Sequence, residues 1–556
     1  MSKIIGAAVG NCVHVAGVLS FLNLARRLGH ETEFLGAAVG VDDLVRAVRE
    51  RDPDIVAVSY RLTPEVAREL FAELARRVKQ EGLDGKRYVL GGTPPVCEVG
   101  AQSGLFEASF CGSEGPDAVV AYLRGEHLAR APEDYGATLL DRLERKAPYP
   151  LLRHHYGRPT VEETVRGARR IARARVLDVL SIGPDQNAQE HFFRPQEMQE
   201  QLSGAGGVPL RSAADLRAIY DATRTGNYPL LRIYSGTRDL IKWAELAVET
   251  VHNAWAAIPL CWYNTLDRRS NRPPLKSIAE NQRALRWYAQ RGLPVEINEP
   301  HHWSLREAHD ALSVAMAYVS AYNAKALGVR HYVSQYMFNT PATTYPAMDL
   351  AKMLAQARVV ESLHDDAFTS IPQTRAGLLH FSPDPDVAKG QLAASTVVQL
   401  ALEPRIIHVV AYCEGDHAVT AEELIESCKI VDGVLRNCGV GMADLKRDPA
   451  VQARAEHLVR QARVTVAAIR ALGPGDGDPL TDPATLARAI REGILDAPHL
   501  CGNPDAAGRL ATQVIDGGIE AIDLDTGRPI TEEKRVERIL GRVPQPAHRP
   551  EIEAFD

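Results

Sequence analysis

The sequence has few of the features that mark membrane or nucleic-acid-binding proteins. Only 6% of its 556 residues are aromatic, and its 64 Lys and Arg are outnumbered by 71 Asp and Glu, which gives a net charge of −7. A chain without a basic excess gives no indication of nucleic-acid binding. No apolar run approaches the roughly 20 residues that a membrane helix needs, and the start Met1-Ser2-Lys3-Ile4 lacks a signal-peptide pattern. We therefore expect a cytoplasmic protein with no nucleic-acid or membrane partner.

Cysteines are few and widely spaced. The eight cysteines form neither a Cys-x-x-Cys pair nor a Cys-x-x-x-Cys-x-x-Cys motif. Such closely spaced cysteines hold structural zinc ions or the iron–sulfur cluster of radical-SAM enzymes. The sequence therefore predicts neither of these centres.

The first 128 residues alternate between short apolar runs and amphipathic segments. Strands are predicted at 3–9, 31–35, 55–59 and 88–90, with helices at 18–28, 41–49 and 64–80 between them. This alternation predicts a doubly wound, flavodoxin-like α/β domain over residues 1–128. Residues 129–195 are rich in Arg, Pro and His, and we expect them to be a linker.

Longer strand–helix units follow this segment. Strand-like apolar runs lie at 176–182, 230–234, 258–262, 294–297, 331–335, 377–381 and 406–411. Seven strands at these intervals predict a (β/α)8 TIM barrel, with one strand not located, as a catalytic domain over residues 196–470. Residues 471–556 begin in a Gly- and Pro-rich turn, and we expect them to form a C-terminal cap of the barrel.

One loop of the N-terminal domain combines a histidine with a tight glycine. It reads Cys12-Val13-His14-Val15-Ala16-Gly17 and follows the first predicted strand. Ser59 ends a later strand, and Gly91-Gly92-Thr93 follows the strand after that. Loops at the carboxyl ends of parallel strands meet where ligands bind, and glycines let a bulky ligand approach the backbone. The pattern therefore predicts a ligand site at this edge of the sheet.

These residues resemble the cobalamin-binding domain of B12-dependent mutases and methionine synthases, in which the loop reads Asp-x-His-x-x-Gly. The resemblance implies that His14 is the lower cobalt ligand. It also implies a set of cofactor-binding residues, namely Cys12, His14, Gly17, Ser59, Gly91, Gly92 and Thr93. Cys12 stands where the family has the acid that orients the ligand histidine. We therefore expect His14 to bind cobalt more loosely or to depend on a backbone partner.

Polar side chains follow several predicted barrel strands. Arg238 follows the second, Tyr263 and Arg268 follow the third, and Glu299 follows the fourth. Active sites of such barrels form at the carboxyl ends of the strands, so these four are candidate catalytic residues. The two arginines suit a substrate carboxylate, whose geometry matches a guanidinium group. Tyr263 and Glu299 are candidates for polar contacts or proton transfer.

The segment from about 230 to 540 resembles the barrel subunit of glutamate mutase (methylaspartate mutase). The motifs that carry the resemblance are, in order, Pro259-Leu-Cys-Trp-Tyr-Asn264, Lys276-Ser277-Ile278, Tyr288-Ala-Gln-Arg-Gly292, Ile297-Asn298-Glu299-Pro300 and Gly493-Ile494-Leu495-Asp496-Ala497-Pro498. Ala256 stands where glutamate mutase has the Glu that meets the substrate ammonium. Glutamate itself is therefore not the expected substrate.

Together the two resemblances imply an adenosylcobalamin-dependent mutase, a radical isomerase of a small carboxylic acid other than glutamate, in which the cofactor supplies the radical chemistry. The family resemblance also implies a possible homodimer. Two alternatives stay open. One is a corrinoid-dependent methyltransferase, which also pairs this fold with a barrel, and the other is a non-catalytic cobalamin-binding sensor or carrier.

Overall fold

A computed structural model describes residues 1–112, 114, 116–126, 132–439, 441–474 and 476–541. The chain divides into two compact units. The first takes in 1–135, 144–149 and 432–443, and the second takes in 136–143, 150–431 and the residues from 444 onward.

The first unit is a parallel sheet with helices on both faces. Its strands are β1 (Lys3–Val9), β2 (Glu31–Val39), β3 (Ile55–Tyr60), β4 (Arg87–Gly92) and β5 (Ala108–Phe110), and its helices are α1 (Ala16–Arg27), α2 (Val41–Arg51), α3 (Pro64–Gln80), α4 (Pro94–Gln102) and α5 (Pro116–Arg124). Apolar residues of α1 and α5 pack on one face of the sheet, and those of α2, α3 and α4 pack on the other. The predicted doubly wound, flavodoxin-like domain is confirmed.

The strand order of this sheet places the predicted ligand loop at the point where the chain connections diverge. The order is β2-β1-β3-β4-β5, and all pairs are parallel. The connection after β1 therefore leads to a strand on one side of it, and the connection after β3 leads to a strand on the opposite side. Ligands of open α/β sheets bind in the crevice that such a reversal opens beyond the carboxyl ends of the strands.

The second unit contains an eight-stranded parallel sheet. Its strands are β6 (Leu151–Tyr156), β7 (Val179–Ile182), β8 (Leu230–Ile233), β9 (Ala256–Ile258), β10 (Val295–Ile297), β11 (His331–Phe338), β12 (Thr369–Ala376) and β13 (Ile406–His408). The order is β8-β7-β6-β13-β12-β11-β10-β9. At its two ends the Ser235 amide donates to the carbonyl of Ala257, and the Ala254 amide donates to that of Leu231. These bonds nearly close the sheet, and the predicted TIM-like barrel is confirmed.

Helices connect and surround these strands. They are α6 (Leu139–Lys146), α7 (Val161–Ala174), α8 (Gln186–His191), α9 (Ala213–Ala222), α10 (Leu240–Val251), α11 (Pro274–Ala289), α12 (Pro300–Ser304), α13 (Asp310–Ala326), α14 (Pro346–Glu361), α15 (Pro385–Gln399) and α16 (Ala421–Gly439). The last part of α16 belongs to the first unit. No helix among the described residues is long and apolar enough to cross a membrane.

Two expectations about this region differ from the structure. Residues 129–195 were expected to be a linker, but the barrel strands β6 and β7 lie within them. β6 is the strand that the sequence pattern did not locate, because Arg153, His154 and His155 interrupt its apolar run. The strand expected at 377–381 is instead β12, whose polar Gln373 and Arg375 hide it in the same way.

The C-terminal residues add helices and a small antiparallel sheet to the second unit. The elements are α17 (Pro449–Ala471), α18 (Pro483–Glu492), β14 (Ala511–Ile515), β15 (Gly518–Asp523), β16 (Arg528–Pro529) and α19 (Glu532–Leu540). Apolar residues of α17, α18 and α19 share one core with those of α11, α13 and α14. A buried carboxylate joins this region to the barrel helices: Glu532 contacts Arg535 at 2.7 Å, His309 Nε2 at 2.9 Å and Thr465 Oγ1 at 2.6 Å.

The Glu532→Gln variant should lower the free energy of unfolding by about 3 kcal/mol at neutral pH, because it leaves the Arg535 charge buried and uncompensated. Burial opposes ionisation of Glu532, but Arg535 and His309 outweigh it and hold its pKa far below the ordinary 4.5. The stabilisation should therefore be complete above pH 4.5 and decline as the pH falls toward the lowered pKa. Urea denaturation at several pH values measures this, with the exposed Glu537→Gln on the same helix as the control. A pH-independent difference would contradict the ionic explanation.

Candidate functional site

The loop between β1 and α1 holds His14 exposed at the carboxyl end of the sheet. The Ser59 hydroxyl at the end of β3 donates to the His14 carbonyl at 3.1 Å, and the Tyr60 hydroxyl contacts Asn11 Oδ1 at 3.2 Å. These two bonds tie the loop to the neighbouring strand. The buried Cys12 places its Sγ 3.7 Å from His14 Nδ1, where the resemblance expects a carboxylate. The imidazole thus has a thiol and an anchored backbone, rather than an acid, to orient it.

A cavity of about 300 Å³ lies beside this loop within the first unit. Its lining includes Ala16, Gly17, Phe21, Leu24, Ser59, Gly91, Gly92, Phe110, Val119 and Tyr149. A Cβ added at Gly17 would meet no atom within 4 Å, so the hydrogen of Gly17 leaves the space open. Gly92 has a packing role as well, since a Cβ there would stand 3.0 Å from the Tyr60 carbonyl oxygen. The result is a mostly apolar slot with one buried hydroxyl, of a size that accepts a planar aromatic group.

Three of the seven predicted cofactor residues, Cys12, His14 and Thr93, do not line this slot. Thr93 precedes α4, where its carbonyl accepts the Cys97 amide at 2.9 Å, and it does not line the cavity. Cys12 lies buried below the loop and touches His14 rather than the slot. Gly17, Ser59, Gly91 and Gly92 all line it, as the sequence pattern predicts.

The interior of the barrel is polar and charged. Arg153 of β6 donates to Gln373 at 2.7 Å and to Ser181 at 2.9 Å, and its guanidinium lies 3.4 Å from Glu296. Arg232 and Trp255 donate to the same Glu296 oxygen at 3.1 and 2.8 Å. Burial opposes ionisation of Glu296, but Arg232 and Arg153 outweigh it and lower its pKa. One ionised carboxylate on β10 thus holds two guanidinium groups, one from β6 and one from β8.

A third arginine, Arg375 of β12, has no acidic partner within ion-pair distance among the described residues. Its Nε donates to the Ala376 carbonyl at 3.1 Å. Burial lowers the pKa of Arg375, and Tyr234 and Glu414 oppose that shift. Burial likewise lowers the pKa of the neighbouring His155 and His408 below the usual value, so both rings are neutral at pH 7. Arg153 and Arg232 therefore share the fully buried carboxylate of Glu296, whereas Arg375 adds a third guanidinium without an acid at ion-pair distance among the described residues.

Aromatic and imidazole rings surround these arginines and Glu296. The His155 ring centroid lies 4.9 Å from that of Tyr234 and 4.5 Å from that of His408. A chain of polar contacts continues from Gln373 through Gln335 to His301, with successive distances of 3.0 and 3.0 Å. His301 in turn stacks on His302 at 4.6 Å.

A second cavity, of about 420 Å³, begins at His302. Its lining is Leu266, Asp267, Arg268, Arg269, His302, Leu305, Arg306, His499, Cys501 and Asn503, which includes three arginines and one acid. His302 Nε2 is buried and has no hydrogen-bond partner among the described residues. The Arg269 guanidinium lies 4.4 Å from the Tyr263 ring centroid, and the His302 ring lies 5.5 Å from it. This cavity is therefore suited to an anion.

The four candidate catalytic residues fall in three different settings. Arg268 is exposed and lines the second cavity, and the buried Tyr263 adjoins it with a left-handed φ of 65°, which bulky residues rarely adopt. Arg238 instead pairs with Glu197 at 2.8 Å and Glu190 at 3.8 Å, and it does not line the cavity. The structure therefore brings two of the four together.

Glu299 is fully buried and committed to the fold. One carboxylate oxygen accepts the amides of Leu260 and Cys261 at 2.9 and 3.0 Å, and the other accepts Trp303 Nε1 at 2.8 Å. Burial raises the pKa of Glu299, and these donors oppose that shift. The side chain holds the loop after β9 in shape and offers no free oxygen to a substrate.

Sequence reasoning passed over the charged residues inside the strands. Arg153, Arg232 and Arg375 lie within β6, β8 and β12, whereas the residues predicted from the sequence all follow strand ends. The signal was present, because Arg153 and His155 alternate with the apolar Leu152 and Tyr156. An alternating charge in a strand that apolar residues otherwise dominate points into the barrel rather than to solvent.

A separate cluster of possible metal ligands follows β13. Ligand atoms of Cys413, His417 and Glu423 all lie within 4.8 Å of one another. His417 Nδ1 lies 2.8 Å from an Asp416 oxygen, and His417 Nε2 lies 2.9 Å from a Glu423 oxygen.

Residues 2–121 match the family model of the B12 binding domain. The first unit thus contains a cobalamin-binding domain. A cobalamin-binding protein from Desulfitobacterium hafniense DCB-2 is 30% identical over 22% of this chain and 58% of that one, with a TM-score of 0.20. The chain thus spans little more than half of that relative.

Two further solved structures cover more of the chain at lower identity. A cobalamin-dependent radical S-adenosylmethionine enzyme is 12% identical over 78% of this chain and 56% of its own length, with a TM-score of 0.18. A radical S-adenosylmethionine methyltransferase from Kitasatospora setae is 12% identical over 71% of both chains, with a TM-score of 0.16. All three TM-scores are low, and we infer no activity from these structures.

The residues of the B12-binding domain fit the cofactor. The slot offers space, bare backbone at Gly17 and the Ser59 hydroxyl to an aromatic base, and the exposed His14 imidazole offers a nitrogen ligand.

His14→Ala should abolish the spectrum of histidine-bound cobalamin in the reconstituted full chain and weaken cofactor binding at least tenfold. An unchanged spectrum would show that His14 does not ligate cobalt.

A second variant tests the slot independently of the histidine. Gly17→Leu should place its side chain in the open space of the cavity and lower cobalamin affinity about 100-fold without unfolding the domain, because nothing else occupies that space. Gly390→Leu is the matched control, since Gly390 is also a helical glycine with no atom within 4 Å of its added Cβ. Equilibrium dialysis with cobalamin measures both. Equal affinities of the two variants for cobalamin would exclude the slot as the binding site of the aromatic base of the cofactor.

Proposed function

We propose that this protein is an adenosylcobalamin-dependent mutase that rearranges the carbon skeleton of a small carboxylic acid. The observation that carries the proposal is the excess of guanidinium groups in the barrel, in a chain that also contains a B12-binding domain. Arg153, Arg232 and Arg375 face a single fully buried carboxylate, that of Glu296. A substrate carboxylate would supply the missing negative charge.

Arg375 is the best candidate for the direct substrate contact. Arg153 and Arg232 already share Glu296, whereas Arg375 has no acid at ion-pair distance among the described residues. The half-buried guanidinium of Arg375 has no ionic partner among the described residues, and a bound carboxylate would supply one through charge-assisted hydrogen bonds. Arg268, Arg269 and Arg306 around the second cavity would draw the acid toward the barrel.

The neutral rings suit a reaction that must exclude water. His408 and His301 are buried and His155 is half-buried. Burial lowers the pKa of all three, that of His301 to about 3, so they offer hydrogen bonds without adding charge. Tyr234 lies beside His155 and Tyr263 lies beside His302, and both can hold a polar substituent of the substrate. When bound, adenosylcobalamin supplies the radical that abstracts a substrate hydrogen. The protein groups then fix the substrate in one orientation and keep solvent away.

Glutamate is not the proposed substrate. Ala256, where glutamate mutase has the acid for the substrate ammonium, is a buried residue of β9. The only fully buried acid in the arginine cluster, Glu296, is already engaged by Arg153, Arg232 and Trp255. An acid without an amino group therefore fits better.

Corrinoid-dependent methyl transfer is the second candidate, and the cluster of Cys413, His417 and Glu423 favours it. A metal ion held there could activate a thiol or hydroxyl acceptor, because a thiol that coordinates a metal is deprotonated. The radical-SAM version of methyl transfer is less suited, since the sequence has no Cys-x-x-x-Cys-x-x-Cys motif. A non-catalytic carrier would have no need of a buried arginine cluster.

The two candidates are separated by the cofactor that turns over. The full chain loaded with adenosylcobalamin under anaerobic conditions should, with the right short-chain mono- or dicarboxylic acid, exchange hydrogen isotope between the substrate and the 5′ carbon of the cofactor. The chain loaded with methylcobalamin should keep its methyl group when thiols are added. Methyl loss to a thiol without isotope exchange would replace the mutase with a methyltransferase. Absence of both reactions, with cobalamin retained, would favour a carrier.

Arg375→Met should lower kcat/KM for the acid about 100-fold, because it removes a charge-assisted contact in a buried site. Arg375→Lys should recover part of the loss, since it restores the charge but not the planar guanidinium. Arg238→Met provides the contrast: its guanidinium is held by Glu197 and Glu190, and we expect less than a threefold change. The opposite order of effects would return the substrate contact to Arg238.

A further inference from the structure

We propose that Cys413, His417 and Glu423 bind a divalent ion of the zinc class just after β13. A thiol, an imidazole and a carboxylate whose ligand atoms lie within 4.8 Å of one another need only small movements to reach a common ion. This proposal is independent of the mutase assignment, because it rests on side chains outside the arginine cluster and the B12-binding domain.

The local chain conformation brings the three ligands together. A short turn of 3-10 helix, Tyr412–Gly415, presents Cys413, and the Cys413 carbonyl accepts the amides of Asp416 and His417, both at 2.9 Å. These bonds fold His417 back over the turn. Gly415 is needed for this, because a Cβ there would lie 3.1 Å from the carbonyl oxygens of Leu378 and Phe381.

Two groups orient the ligands as an ion would require. Asp416 binds His417 Nδ1 at 2.8 Å, which leaves Nε2 to face the cluster. A metal-bound histidine commonly has such a carboxylate on its second nitrogen. Thr420 donates its amide and its hydroxyl to one Glu423 oxygen at 2.9 and 2.8 Å, so the other oxygen points to His417 Nε2.

The donor set identifies the class of ion. Mixed sulfur, nitrogen and oxygen ligands suit zinc, whereas magnesium and calcium take oxygen ligands alone. A salt bridge of His417 with two acids would account for Asp416 and Glu423, but it would not account for the buried thiol of Cys413 beside them. Three protein ligands leave a fourth position for water or a substrate atom. The His417 side chain is half exposed, so the ion has a route from solvent.

The test is direct metal binding by the untagged full chain without cobalamin, after removal of metal with a chelator. We expect one zinc ion per chain by calorimetry, and an ultraviolet thiolate-to-metal band when cadmium replaces zinc. Cys413→Ser should abolish that band and weaken zinc binding at least 100-fold, and Asp416→Ala should weaken it about tenfold. Cys438→Ser, which removes a thiol from the other unit, should change neither.

His417→Gln guards against a folding artefact of the buried cysteine variant. His417 is half exposed, so this replacement should leave the thermal unfolding of the metal-free chain unchanged while it weakens zinc binding at least 100-fold. Zinc binding that persists in both ligand variants would overturn the proposal. A parent chain that binds no zinc, or shows no cadmium–thiolate band, would do the same. Either result would also remove the observation that favours methyl transfer, whereas the mutase assignment is tested separately by the isotope-exchange experiment.

Discussion

The buried carboxylate of Glu296 is the interaction on which the interior of the barrel depends. It accepts hydrogen bonds from Arg232 and Trp255 and lies within ion-pair distance of Arg153, which come from three other parts of the barrel wall. Each guanidinium would be prohibitively costly there alone, because a buried charge must have a partner. Glu296 thus lets two arginines enter the barrel without leaving either unpaired. The fold can then place polar chemistry where TIM barrels usually pack branched apolar side chains.

The same arrangement leaves the interior short of negative charge. Arg375 adds a third guanidinium, while burial keeps the surrounding imidazoles neutral and therefore unable to change the balance at neutral pH. The second cavity repeats the imbalance, with three arginines against Asp267. Two adjacent regions with the same sign of charge, connected through His302 and His301, favour an anionic ligand over an apolar one.

The sequence predicted the fold better than it predicted the barrel site. Apolar periodicity located most strands. The loop of His14 with Gly17 and Ser59 predicted a ligand site at one edge of the sheet, and the structure has a cavity there, which Gly17 and Ser59 line. β6 was not predicted, because Arg153 and His155 interrupt its apolar pattern. Arg153 is stabilised inside the barrel by contacts with distant strands, and local periodicity cannot show such contacts. Glu299 misled for the opposite reason. Its position after a strand predicted a catalytic role. In the structure its carboxylate instead accepts hydrogen bonds from backbone amides, and these amides come close to it only when the loop is folded.

The proposed metal site shows the limit of spacing rules most directly. Cysteine spacing argued against zinc, since no two cysteines lie close in sequence. The cluster after β13 uses one cysteine, with the other two ligands from a loop and from the first turn of α16. These three ligands form no recognisable sequence motif. A turn and the start of a helix bring them together, so their spacing in the sequence is not regular. Cys12 likewise departs from a sequence pattern, since the family resemblance expects an acid at this position. Its Sγ still faces His14 Nδ1, the nitrogen that the acid would orient, so a thiol at this position can also orient the imidazole.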